Sequence, residues 1–150
     1  MKQNPKDIPV LESLRAGILT TDGFMGEDTR SFPQIILDDA ALLDDSGLSA
    51  QKLAEKMVQL TKAGLEAVGS PVQLGEYEVT VEEYMGKIGC PFRDHRAPKR
   101  TTTVRDKAGK QMMWTDLSVH LIKAHGFFQG IGSPYRLEPS ALAEFLKNLE

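Results

Sequence analysis

Thr101-Thr102-Thr103-Val104-Arg105-Asp106-Lys107-Ala108-Gly109-Lys110-Gln111-Met112-Met113-Trp114 is the stretch whose reading decides the fold. β-branched and aromatic residues suit a pleated strand, and a polar five-residue turn containing a glycine suits the link between two of them. The segment therefore predicts a β-hairpin. Thr115 then has the side chain of a helix N-cap, Asp116 puts an acid in the first turn, and Gly126 ends a helix over Asp116–His125.

Working outward, Leu53, Met57, Leu60, Leu65 and Val68 recur at helical spacing and predict a long helix near 50–68. Ser49 caps it, Leu48 and Leu53 form a staple across the cap, and Gly69-Ser70-Pro71 stops it. Tyr77-Glu78-Val79-Thr80-Val81 alternates as a strand near 76–82. Glu138-Pro139 opens a last helix with Leu142, Phe145, Leu146 and Leu149 on its apolar stripe. Nearer the N-terminus, Ser31-Phe32-Pro33-Gln34 has the form of a capping box, with Ile35, Ile36, Leu42 and Leu43 lining the helix behind it. Gly17-Ile18-Leu19-Thr20 reads as a short strand turning at Asp22-Gly23. Interleaved helices and hairpin-linked strands predict an α+β fold: one compact domain over 1–150 with a small antiparallel sheet, the long helix and two shorter C-terminal helices.

Composition supports an ordinary folded domain. The 150 residues are 41% hydrophobic and 26% charged, with a formal net charge of −3. That excludes a wholly disordered chain, and a single cysteine with no Gly-X-Y period excludes a disulfide scaffold and a collagen-like chain. No apolar run approaches the roughly 20 residues that span a bilayer, and the first seven residues lack the apolar centre of a signal peptide. A cytoplasmic protein with no membrane partner is expected. Charge is nonetheless segregated: residues 7–46 hold nine acids against two bases, net −7, and residues 93–110 hold seven bases against two acids, net +5. Such asymmetry bears on partners rather than on fold.

Chemistry concentrates in the only cysteine and the three histidines, Cys90, His95, His120 and His125, spaced as Cys-x4-His and His-x4-His. Thiolate and imidazole suit zinc, and four such ligands would close a tetrahedral site. Leu117-Ser118-Val119-His120 followed by His125 resembles the helical half of a zinc finger of the type that pairs two cysteines with two histidines. The resemblance implies a hairpin before that helix and a zinc ion. It covers about 25 residues, and the hairpin, 101–114, holds no cysteine. At 100° per residue, His120 and His125 stand about 140° apart on a regular helix, so sharing one metal implies unwinding of its last turn. Cys90-Pro91-Phe92 resembles the active-site triplet of glutaredoxin-like and glutathione-transferase proteins, but it does not follow the first strand of the domain. A thiol nucleophile on Cys90 would need Arg93, His95 and Arg96 close in space to depress its pKa.

The other candidates are binding surfaces. The basic stretch 93–110 contributes Arg93, Arg96, Lys99, Arg100 and Arg105, and the glycine-rich loop 126–136 ends in Arg136, which could grip a carboxylate or phosphate. No aromatic residue lies between Phe92 and Trp114 to stack on bases, so an acidic protein or a small anionic ligand is favoured over nucleic acid. Within that loop, Phe127 and Phe128 read as core anchors and the rest as a surface turn. Asp38-Asp39 and Asp44-Asp45 read as solvated surface, and Met112, Met113 and Trp114 as core. No cofactor fingerprint and no complete catalytic constellation is present. The sequence thus points to a non-enzymatic binding or accessory module using the hairpin 93–110 and the loop 126–136. The alternative is a zinc-binding domain or metal-dependent hydrolase built on Cys90, His95, His120 and His125.

Overall fold

The computed structural model describes residues 7–14, 23–67 and 69–149. The expected strand at Gly17–Thr20 and the last stripe position of the long helix, Val68, lie outside these residues. The fold is α+β. Helices α1 (Ile8–Ser13), α2 (Phe32–Leu43) and α3 (Ala50–Leu65) precede strands β1 (Val72–Leu74), β2 (Tyr77–Gly89), β3 (Arg96–Arg105) and β4 (Gln111–Thr115), and α4 (Asp116–His125) and α5 (Pro139–Leu146) follow. The four strands form one antiparallel sheet in the order β1-β2-β3-β4, a meander.

Local signals explain most boundaries. Ser31, Ser49 and Thr115 each accept a hydrogen bond from a backbone N–H in the first turn of their helix, and Gly126 closes α4 in the left-handed conformation. The capping box at Ser31 is half made, because the Gln34 side chain donates to Asp38 instead of reaching back. Lys110 N–H donates to Asp106 Oδ1 across the β3–β4 turn, and Gly109 supplies the positive φ that this turn requires. β2 runs well past the predicted 76–82. Near Glu83/Lys87 its pairing with β3 slips, so that Tyr84, Met85 and Gly86 bulge out against Lys99 alone.

The buried side chains fall into two clusters. The larger packs α3 and α5 on the sheet through Leu53, Met57, Leu60, Val79, Val81, Val104, Trp114 and Leu146. Gly64 permits the close approach of α3, since a Cβ there would lie 2.6 Å from Val81 Cγ2. The smaller cluster joins α2, α4 and the far end of the β2–β3 ribbon through Phe32, Ile35, Cys90, Ala97, Leu117, Leu121 and Phe127. α4 is the shared wall, giving Val119 and Ile122 to the first cluster and Leu117 and Leu121 to the second.

Four sequence expectations change. The 126–136 loop is not a surface turn throughout, since Gln129 and Ser133 are buried. Met113 is exposed, because strand alternation points it away from the core that holds Trp114. Leu42 faces solvent as well. Asp39 is 1% exposed rather than solvated, because Arg136 reaches it from the 126–136 loop.

Candidate metal centre

Two elements build the site. The six residues between β2 and β3, 90–95, fold back on themselves: Cys90 N–H donates to His95 O, and Arg93 N–H donates to Cys90 O, each at 2.8 Å. The turn needs a left-handed residue, and Arg93 provides it at φ 64°. This places Cys90 and Asp94 on the side facing α4. From α4, His120 and His125 project toward the same point.

Asp94 is the hub. His120 Nε2 lies 3.0 Å from its Oδ1 and His125 Nε2 lies 2.9 Å from its Oδ2. Cys90 Sγ is 3.8 Å from His125 Nε2. One ligand atom from each of Cys90, Asp94, His120 and His125 lies within 4.8 Å of all the others. In a tetrahedral zinc shell with bonds of about 2.0–2.3 Å, neighbouring ligand atoms stand roughly 3.3–3.6 Å apart. The contacts at 2.9–3.8 Å bracket that spacing, and the widest separation, within 4.8 Å, would have to close by about 1 Å to enclose an ion.

The surroundings hold these groups in place. Phe92 stacks on the His125 ring at 3.9 Å and packs edge-on against Phe32 and Phe127 of the smaller core. His95 stacks on the outer side of this group, 4.4 Å from the His120 ring. Burial, with the hydrogen bond to Asp94, pushes the Cys90 thiol up to about 12. Burial would also raise Asp94, but the hydrogen bonds from Cys90 and His120 and the neighbouring His125 outweigh it and bring Asp94 down to about 2. Burial lowers His125, with Asp94 partly opposing it. A buried, protonated thiol is a poor nucleophile. The geometry is also wrong for a relay: a Cys-His-Asp relay uses the two ring nitrogens separately, whereas here Cys90 and Asp94 share one nitrogen of His125.

Of the four residues the sequence singles out for metal, Cys90, His120 and His125 gather, and His95 stands beside them. Asp94 takes the fourth place. α4 stays regular through His125, and its two imidazoles reach different oxygens of one carboxylate. The spacing Cys-x3-Asp is present in the sequence. What hides it is the reversal at Arg93, a residue type that seldom adopts positive φ.

The anion-binding candidates are dispersed. Arg136 is almost fully buried, and its guanidinium spans both oxygens of Asp39 at 2.9 Å, the Gln129 carbonyl and Glu138. Its grip is on the chain's own carboxylates. Arg100 pairs with Asp116 and Arg105 donates to the Gln111 side chain. Arg96 and Lys99 are exposed on β3, and Arg93 sits in the 90–95 turn. Among the described residues no helix is long and apolar enough to cross a membrane. Compared with protein-family models, with curated proteins and with solved structures, the chain matches none.

Proposed function

We propose that this protein is a zinc-stapled, non-enzymatic binding module in which Cys90, Asp94, His120 and His125 hold the ion and tie the β2–β3 loop to the end of α4. The observation that carries the reading is convergence: two imidazole nitrogens and a thiol aim at one carboxylate from two separate elements. One sulfur, two nitrogens and one oxygen form a donor set that suits zinc, and four protein ligands complete a tetrahedron without calling on water. Binding displaces the thiol proton and fixes the β2–β3 hairpin, whose second strand presents Arg96, Lys99 and Arg105 to an acidic partner. A thiolate ligand needs a reducing compartment, in keeping with a cytoplasmic home.

Metal-depleted full-length protein titrated with zinc is expected to take up one equivalent. Cobalt in its place should give the visible spectrum of a tetrahedral, thiolate-bound ion. Losing one direct ligand, as in Cys90→Ser or His125→Ala, should weaken zinc by more than the roughly 10–100-fold that outer partners are worth. His95→Ala should leave one equivalent bound. Failure to take up zinc, or a His95→Ala loss as large as that of Cys90→Ser, would overturn the assignment.

A metal-dependent hydrolase is the second reading, and one observation favours it. The Asp94 side chain is 42% exposed, against 19% and 20% for the two histidines, so it is the ligand that water could replace. Azide added to the cobalt form discriminates: a changed spectrum marks an open position, and an unchanged one marks the closed staple.

A further inference from the structure

A separate cavity of about 460 Å³ opens between the β2–β3 ribbon, the start of α4 and the 126–136 loop. Ligand pockets for small molecules commonly fall within roughly 300–1,000 Å³. Its walls are apolar and aromatic, with Tyr84 from the β2 bulge and Tyr135 from the loop at the rim and Ile88 and Leu117 deeper in.

Two polar groups in these walls have bonding capacity unused among the described residues. Lys99 lines the cavity and has no carboxylate partner among the described residues, whereas neighbouring Arg100 is neutralised by Asp116. Gln129 is the second. It is 4% exposed, and its Oε1 accepts from Ser133 Oγ at 2.6 Å. Its Nε2 meets no acceptor among the described residues. Buried amide donors are nearly always satisfied, so a donor in a cavity wall with no acceptor among the described residues suits one supplied by a ligand. Gln129 also carries a backbone φ of 73°, held by the Arg136 guanidinium on its carbonyl. Residues held at positive φ by their surroundings cluster at binding and switch sites.

We infer that this cavity binds a small aromatic monocarboxylate, its ring between Tyr84 and Tyr135 and its carboxylate shared by the Lys99 ammonium and the Gln129 amide. With Arg100 paired to Asp116, Lys99 is the one uncompensated charge among the lining residues, which suits a monoanion seated away from Glu82, the carboxylate that Tyr84 OH donates to at the mouth. Two phenol rings at the mouth favour a planar body over an alkyl chain. The site shares no ligand residue with the metal centre and stands without it.

The test titrates the full-length protein, with and without zinc, with 2-naphthoate, 2-naphthamide, octanoate and inorganic phosphate at up to millimolar concentration. Amide nitrogen–proton spectra report the result, including the Gln129 side-chain pair. Naphthoate is expected to shift the Gln129 side-chain and Thr101 backbone signals, binding about tenfold more tightly than the neutral amide, as one charge-assisted contact implies. Lys99→Met, a change at an exposed position, should remove that preference and leave naphthamide binding unchanged. Tyr84→Ala should weaken both aromatic ligands. No shift at these signals, equal binding of naphthamide, or octanoate or phosphate binding as tightly as naphthoate would each overturn the assignment.

Discussion

The two cores are held by different physics. In the larger one the polar side chains buried within it are few, neutral and hydrogen-bonded to one another or to the backbone. Trp114 Nε1 donates to Thr61 Oγ1 at 3.0 Å, Thr61 and Thr102 share a hydrogen bond at 2.7 Å, and Tyr77 OH donates to the Phe145 carbonyl. Around the smaller core and at its border with the larger one the ties are ionic: Arg136 on Asp39, Arg30 on Asp28, and the Asp94 carboxylate between two histidines. Apolar burial and neutral hydrogen bonds respond weakly to pH, salt and metal, whereas charge-assisted ties respond to all three. Conditional behaviour should therefore belong to the smaller core, and the larger should set the overall stability.

The largest expected effect tests that division directly. Trp114→Ala removes a fully buried indole and leaves Thr61 without its donor, which should cost about 4 kcal/mol. Because α4 walls both cores, denaturant unfolding should stay a single transition, shifted as a whole. Two separate transitions would show that the cores do not share their stability.

Arg136→Met comes next. It leaves Asp39 buried and unpaired and should cost roughly 3 kcal/mol, since breaking such a pair strands a charge. Adding Asp39→Leu should restore most of the loss, because an apolar pair of similar size carries no desolvation penalty. A double variant as unstable as the single one would mean that the loop geometry around Gln129, and not the stranded charge, is what Arg136 supplies.

The same division explains what can be read from the chain. The β3–β4 turn, the caps at Ser49 and Thr115 and the stop at Gly126 are local matters of hydrogen bonding and permitted dihedrals, so they are legible residue by residue. The ties of the smaller core join residues far apart in sequence, such as Asp39 and Arg136, and no local pattern announces them. Asp39 reads as solvated surface because two adjacent acids usually are. Asp94 is inconspicuous beside His95 because a histidine draws the eye by its type alone, whereas a reversal at Arg93 carries no such mark. Lys99 and Gln129 fall in sequence into a basic strand and a surface turn, and only the tertiary fold sets them in one cavity wall.

The smallest effect is pH-dependent and isolates burial from charge. Arg30 holds two carboxylates: Asp28, whose side chain is 4% exposed, and Asp38, which is 42% exposed. The Arg30 hydrogen bonds, aided by the Ile131 N–H, keep Asp28 well below the usual carboxylate range, against the opposing push of its burial. A carboxyl group depressed in the folded state binds its proton more readily once the chain unfolds, at about 3.9. The stability it contributes is therefore complete above that value and disappears as pH falls through the lower, folded one. Asp28→Asn should consequently be less stable than the parent at pH 6, and the gap between their denaturation midpoints should close below pH 4. Arg30 lowers Asp38 too, but solvent screens that pair, so Asp38→Asn should track the parent across the same range. Equal sensitivity of the two variants would mean that the shared arginine acts through charge alone, and that the anchoring of the 126–136 loop by Asp28 at the Ile131 N–H adds nothing to the fold.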